Sequence, residues 1–530
     1  MNSELPFEQH TKTLLGMKRY REAQLVCVKW VESQPKNPSA WFMKAFAETN
    51  AHKLNEALTS IDRGLQIQPR HPMMLVQRAQ ILGAIGHSQA CLDTIDSLLG
   101  GKPLPPPVLH QVGTTLNNIG EHERAVSVLE QVRQQEPHNA ANLSSLATAY
   151  HILARSEEAA KIQREAITLA PEEFRGYWLL GQMGKARPEA NHIGFFEDAL
   201  AQHQDKLLAR VCLNFALAKQ HEELEAYDAA FEHLQAGSAA VLEHSPYDQG
   251  RDEQVHEQIL RAFDERFCKQ DIAGHDDTAP LFIIGMPRTG TTLLEQILTT
   301  YDEINTAGEL HHFPHLFSQT CNRLNPGARI DTIYQDLERL DWRELGAQYV
   351  QAARLHVKGS ACFIDKYPLN FTMVGPLLKA LPRARIINLQ RNPMDTCFSN
   401  YKLLYRLGTA LHSYDLKTMA DYYCRYRDMM SHWHACYPGQ ILDVSYESLV
   451  TAPENTTRAV ADFLDLEWRP ECLEFYTAGG AVATASTTQV RQPINTGSLN
   501  KWQKFAGHLA QLEQRLVARG LQPDGTAVKA

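Results

Sequence analysis

Two hydrophobic patterns divide the chain. Up to about residue 275 the apolar positions fall at helical spacing, as in AWFMKAFAE, GYWLLGQMG and LLARVCLNFALAKQHEELEAYDAAFEHLQAGSAAV, and predict helix after helix. Prolines recur at Pro35, Pro69, Pro103, Pro137 and Pro171, each 34 residues after the last. Ten residues further on stand Ala45, Ala79, Gly113, Ala147 and Gly181, and a second register runs through Ala23, Ala57, Cys91, Ala125 and Ala159. Small residues at two phases of one period are what close helix packing needs, one phase for each helix of a hairpin, with the proline stopping the second helix.

The period resembles the tetratricopeptide repeat. Five periods are clear, and 207–241 keeps the phase as a sixth, divergent repeat, giving about six hairpins in an all-α superhelix over 1–240. Residues 241–277, with SPYDQGRDEQ and AGHDDT, predict a capping helix and polar linker before a second domain over 278–530. Stacked repeats build concave surfaces that hold protein or peptide partners, and nothing in the sequence names one.

From residue 278 the pattern changes to short apolar runs, near 281–285, 362–365, 385–390 and 440–444, separated by helical stretches. That alternation predicts an α/β domain with a central, mainly parallel sheet and right-handed crossovers. The tail HLAQLEQRLVARGLQPDG predicts one amphipathic helix packed back on it.

Composition narrows the function. With 52 Lys+Arg against 61 Asp+Glu the formal net charge is -9, so no global nucleic-acid footprint exists and any anion must be held by a local cluster. The ten cysteines stand singly, without a Cys-x-x-Cys pair, which argues against zinc or a disulfide framework. No secretory leader and no run of 18 apolar residues is visible, so a cytoplasmic protein with no membrane partner is expected.

The candidate chemistry begins at PLFIIGMPRTGTTLLEQIL, a strand, a Gly/Pro-rich turn and a helix starting near Thr291. Such a loop points backbone N–H groups and a helix N-terminus at one anion, with the hydroxyls of Thr289, Thr291 and Thr292 as further donors around Gly290. Thr291 stands where the Walker pattern GxxxxGK[ST] puts lysine, which weakens an ATPase or kinase reading. RARIINLQRNPMDTCFSNYK repeats the grammar: Arg391 ends a strand and offers a planar fork to a second phosphate, and Ser399 lies two helical turns along. A nucleotide with two separated phosphates explains both loops. Lys366 follows an apolar run, where an ammonium can neutralise charge on a leaving oxygen.

PRTGTT, AGE, DKYPLN, QRNP with its serine, SYESL and NTGSLNKW, in that order over about 278–505, resemble the sulfotransferases that use 3′-phosphoadenosine 5′-phosphosulfate, and among them the protein-tyrosine sulfotransferase branch. The resemblance implies a sulfuryl transfer from that co-substrate to an acceptor hydroxyl, with no metal. It implies that Arg288 to Thr292 bind the 5′-phosphosulfate, that Arg391 and Ser399 bind the 3′-phosphate, and that Tyr446 and Lys501 contact the nucleotide. It further makes Glu309 the general base, Lys366 the electrophile and Ser486 a second transition-state donor. His311 and His312 are alternative bases, of which one at most can face the site. Tyrosine-modifying members carry an arginine four residues after the serine, where this chain has Leu403 beside Lys402. The acceptor, peptide tyrosine, sugar, lipid or phenol, stays open. His311, His312, Phe313, Phe317, Tyr401, Tyr405, His412 and Tyr414 could stack on a ring or equally form core. A different class of function also stands: a repeat scaffold with an inactive nucleotide-binding domain.

Overall fold

The computed structural model describes residues 7–526 except 52, 86, 330–331, 355, 358–360 and 478–491. It divides into two compact units, Met1–Pro171 and Glu172–Ala530.

The first unit is all helical: α1 (Phe7–Gly16), α2 (Tyr20–Ser33), α3 (Pro38–Asn50), α4 (Leu54–Ile67), α5 (Pro72–Ala84), α6 (Ser88–Leu99), α7 (Pro106–Asn118), α8 (His122–Gln135), α9 (Ala140–Ile152) and α10 (Ser156–Leu169). The 34-residue period is local chemistry repeated. Pro38, Pro72 and Pro106 open α3, α5 and α7, where a missing N–H costs nothing. The side chains of Asn37, His71 and Asn139 accept first-turn N–H groups of α3, α5 and α9. Pro35, Pro69, Pro103, Pro137 and Pro171 each fall just beyond the helix they were expected to stop. The small residues are buried, and at Gly113 a Cβ would lie 2.5 Å from Leu129 Cγ, so α7 and α8 touch where only glycine fits.

The second unit opens with α11 (Arg175–Gln182), α12 (Ile193–Gln202), α13 (Leu207–Glu223), α14 (Tyr227–His244), α15 (Gln249–Ala262) and α16 (Glu265–Cys268). The α/β part follows as β1 (Pro280–Gly285), α17 (Thr291–Leu298), β2 (Ile304–Thr306), α18 (His312–Leu324), α19 (Trp342–Arg354), β3 (Cys362–Asp365), α20 (Val374–Ala380), β4 (Arg385–Gln390), α21 (Pro393–Tyr401), α22 (Leu416–Cys436), β5 (Ile441–Ser445), α23 (Tyr446–Thr451), α24 (Pro453–Phe463) and α25 (Ala510–Ala518). Among the described residues the five strands form one parallel sheet in the order β2-β3-β1-β4-β5. Both faces are covered, as a parallel sheet requires. Leu281 and Ile283 of β1 join a core with α17 and α24, while Phe282 and Ile284 face the larger core of α19, α20 and α22.

Helices α13 and α14 share that larger core. Phe215 meets Tyr414 edge-on at 6.1 Å, and Phe231 stacks on Tyr401 at 6.0 Å. The segment expected as repeats, 1–240, thus runs across the boundary of the two units, because the apolar faces of α13 and α14 pack on the α/β part. The expected C-terminal helix is α25, which buries Leu512 and Leu516 and is tied to α22 by a two-bonded Arg515–Asp421 pair at 2.9 Å. Strand β2 went unpredicted: three residues carry no alternation.

Candidate active site

Connections leave the adjacent strands β1 and β4 in opposite directions, toward β2 and toward β5, and the crevice between their carboxyl ends is where such sheets bind ligands. The loop after β1 is tightly wound. Thr289, fully buried, donates its hydroxyl to the Met286 carbonyl at 2.8 Å. Arg288 has φ 71°, a left-handed conformation strained for a side chain. Gly290 has φ 100°, and a Cβ there would lie 2.4 Å from the Tyr446 ring, so the residue beginning α17 must be glycine on two counts. No side chain caps α17, so no side-chain acceptor closes the helix N-terminus, the end that favours an anion.

Arg391 closes the other side of the crevice. Its Nη1 donates to the Arg288 carbonyl at 2.9 Å and its Nη2 to the Ser498 carbonyl at 2.5 Å. Its guanidinium sits 4.8 Å from the Tyr446 ring centre and 3.6 Å from Asp395. The side chain is 9% exposed, and its Nε is buried with no partner, one donor short of satisfied. Asp395 accepts the N–H groups of Asn500 at 2.7 Å and Trp502 at 3.2 Å, which docks the segment carrying Lys501 beside Arg391. Lys501 is exposed as a whole, yet burial about its ammonium lowers its pKa, with Lys402 and Arg391 adding to this and Glu222 opposing it. Ser399 lies half-buried on α21.

Lys366 occupies a second centre, at the end of β3. It is 1% exposed, its Nζ donates to Glu309 at 2.6 Å, and Glu295 of α17 stands 3.8 Å away. Glu309 leaves 45% of its side chain in solvent, whereas Glu295 is buried. Burial raises the Glu295 carboxyl, opposed by Lys366 and by the Thr306 hydroxyl that donates to it at 2.5 Å. Asp365, fully buried, anchors both chains that meet here. One oxygen accepts the N–H groups of Leu310 at 3.3 Å and Tyr367 at 3.2 Å, the residues after Glu309 and Lys366, and the other accepts the Tyr349 hydroxyl at 2.7 Å. Burial pushes Asp365 up to about 7.

Two groups of expected residues therefore meet: Gly290, Arg391 and Tyr446 with the Arg288 backbone, and Glu309 with Lys366. Helix α17 links them, since Glu295 lies one turn beyond Thr291. Ser486 lies outside the described residues. The histidines part company. The His311 ring stands 4.4 Å from that of Tyr367, while His312 is turned to His356 at 4.9 Å and its pKa is lowered by burial. Phe313, Phe317, Tyr401 and Tyr414 are core. Lys402 donates to Glu222 of α13 at 2.5 Å. Sequence reasoning passed over Glu295, Asp365 and Asp395. A lone charge inside the apolar run LLEQIL was the available signal for the first; the other two look like ordinary strand-end and first-turn carboxylates. Among the described residues, no three His, Cys, Asp or Glu side chains converge as a metal site, and no helix is long and apolar enough to cross a membrane.

Residues 280–470 match the sulfotransferase family and residues 140–173 match the tetratricopeptide repeat. An uncharacterized protein of Aquifex aeolicus (strain VF5) is 31% identical over 388 residues, 70% of this chain and 49% of that protein. Protein-tyrosine sulfotransferase 1 of Danio rerio is 26% identical over 246 residues, 43% of this chain and 66% of that protein. The chain thus spans about half the length of the first relative and just under two thirds of the second. The sulfotransferase domain of the Synechococcus PCC 7002 olefin synthase superposes with a TM-score of 0.32 at 19% identity, over 44% of this chain and 91% of that one. The chain joins tetratricopeptide repeats to a domain that matches the sulfotransferase family and is similar to protein-tyrosine sulfotransferases.

Proposed function

We propose that this chain transfers the sulfuryl group of 3′-phosphoadenosine 5′-phosphosulfate to an acceptor hydroxyl. The observation that carries the reading is a buried lysine paired with a solvent-reaching carboxylate and set beside Glu295, one turn into a helix whose N-terminus no side chain caps. The residues present suit the nucleotide: the unpartnered Arg391 Nε is a donor an anion would satisfy, and Gly290 lets the loop close against the Tyr446 ring. The co-substrate supplies the sulfuryl group. Backbone N–H groups of 288–292, with Thr289, Thr291 and Thr292 around them, hold the 5′-phosphosulfate. Arg391, Ser399 and Lys501 hold the 3′-phosphate, with Tyr446 stacked beside them.

Glu309 takes the acceptor proton, a role its exposure permits and which contributes roughly 10²–10⁴ in rate. Lys366 holds its ammonium where charge grows on the leaving oxygen; buried, it acts in a low dielectric where such stabilisation is worth most. Ser486 remains proposed as a second donor. Residues 278–530 are proposed as the catalytic domain, 241–277 as cap and linker, and the repeats of 1–240 as the surface that recruits a protein or peptide. Ten free, mostly buried cysteines support a cytoplasmic setting.

The test is release of the 3′,5′-bisphosphate on mixing enzyme and co-substrate with a tyrosine peptide, a phenol, a sugar and a lipid headgroup. At least one acceptor should support release, and Glu309→Gln and Lys366→Met should each lower it by on the order of 10² or more. Release that is unchanged in Lys366→Met, or absent across the panel, would overturn the reading.

A further inference from the structure

Resting on that reading, we propose that Glu222 of α13 is a resident counter-anion of the cation cluster Arg391–Lys402–Lys501 and sets how tightly that cluster holds a 3′-phosphate. The cluster is built from three separate stretches of chain. Arg391 ends β4, Lys402 follows α21, and Lys501 arrives on the segment docked by Asp395. Its two carboxylates are divided unequally. Asp395 is 3.6 Å from Arg391 and is occupied by the Asn500 and Trp502 N–H groups. Glu222 is 2.5 Å from Lys402.

Lys402 is thereby turned toward α13. Its ammonium also lies over the rings of Phe398 at 5.0 Å and Phe505 at 5.7 Å. Lys501 has no ion-pair partner among the described residues, and Glu222 is the carboxylate that acts on its ammonium, working against burial, Lys402 and Arg391. The helix pair α13–α14 keeps this arrangement in place, since Tyr227 meets Phe505 edge-on at 5.1 Å, Phe231 stacks on His508 at 4.6 Å, and His508 lies 2.7 Å from Asp228.

A bound phosphate dianion in this cluster would sit one lysine away from the Glu222 carboxylate. At a separation on the order of 10 Å in a dielectric close to that of water, about 80, that like charge weakens binding about three- to tenfold. Releasing Lys402 from Glu222 frees a further cation for the same phosphate, so both effects have one sign: removing the Glu222 charge tightens binding.

The experiment is calorimetric titration of the full chain with adenosine 3′,5′-bisphosphate and, separately, with adenosine 5′-phosphosulfate, which lacks the 3′-phosphate. In 50 mM salt, Glu222→Gln should bind the bisphosphate about three- to tenfold more tightly and the phosphosulfate unchanged, with the gain shrinking at 0.5 M salt. Lys402→Met, which leaves Glu222 unneutralised, should weaken the bisphosphate alone. Unchanged or weaker bisphosphate binding in Glu222→Gln, or equal shifts for both nucleotides, overturns the inference while leaving the sulfotransferase reading intact. A wild-type chain that binds neither nucleotide overturns both.

Discussion

Lys366→Met tests the second centre through stability, without an acceptor. The lysine is buried between Glu309 at 2.6 Å and Glu295 at 3.8 Å. Glu309 is nearly half exposed and returns to water when the cation goes, so the cost falls on Glu295, left with one hydroxyl donor and no cation. Breaking a buried pair from one side costs about 3–5 kcal/mol, and the lower end applies because only one of the two carboxylates is stranded. For a compact unit of about 360 residues, 3 kcal/mol corresponds to roughly 4 °C in Tm. The pH dependence carries the distinctive sign. The folded Glu295 carboxyl lies above its ordinary value, so the folded chain binds the proton more strongly and loses stability as pH rises through the folded value. Lys366 holds that value down, so without it the value moves higher and more stability is lost as pH rises. Scanning calorimetry should show a larger decrement at pH 8 than at pH 5.5, with Glu295→Gln added to Lys366→Met restoring most of the loss at pH 8. Equal decrements at the two pH values, or none at pH 8, would refute the buried triad.

Relative to wild type, Asp365→Asn should gain roughly 2–3 kcal/mol, about 3–4 °C in Tm, on going from pH 5 to pH 8. The wild-type carboxyl is pushed up to about 7, so the wild type loses stability as pH rises from the ordinary carboxyl value to that one, while the amide keeps one acceptor for the two N–H groups and can donate to Tyr349. A difference between the two chains that is the same at both pH values would show that the carboxyl ionises without cost. Gly290→Ala should cost about 1–2 kcal/mol from φ 100° alone and displace the Tyr446 ring, weakening bisphosphate at least tenfold by calorimetry; unaltered affinity would remove the loop from the site.

The helical repeats were legible because one period writes several local rules at once: a proline opening α3, α5 and α7, a polar cap before α3, α5 and α9, a small residue where helices touch. Strands β1, β3, β4 and β5 were legible as apolar runs because a sheet covered on both faces needs them. Strand β2 was not, being three residues whose only role is to carry the chain to Glu309. Gly290, Arg391 and Lys366 could be read from type and place, since each stands at the end of a strand where a site is expected. Glu295 and Asp365 act through burial, which exists only once α17 and α19 have packed. Arg391 stacks on Tyr446 across about 55 residues of chain, and Lys402 reaches Glu222 across 180. Partners so far apart leave no mark in local pattern, which is why Leu403 drew attention and Glu222 none.

The most direct measurement is calorimetric titration of the intact chain with adenosine 3′,5′-bisphosphate, beside ATP with Mg²⁺, in wild type and Arg391→Ala. The proposed two-phosphate crevice, without a lysine in the loop, should bind the bisphosphate in the micromolar range, bind ATP at least tenfold more weakly, and lose the bisphosphate in Arg391→Ala, which removes a buried cation and its ties to the Arg288 and Ser498 carbonyls. ATP binding that equals or exceeds the bisphosphate, or bisphosphate binding indifferent to Arg391, would contradict it.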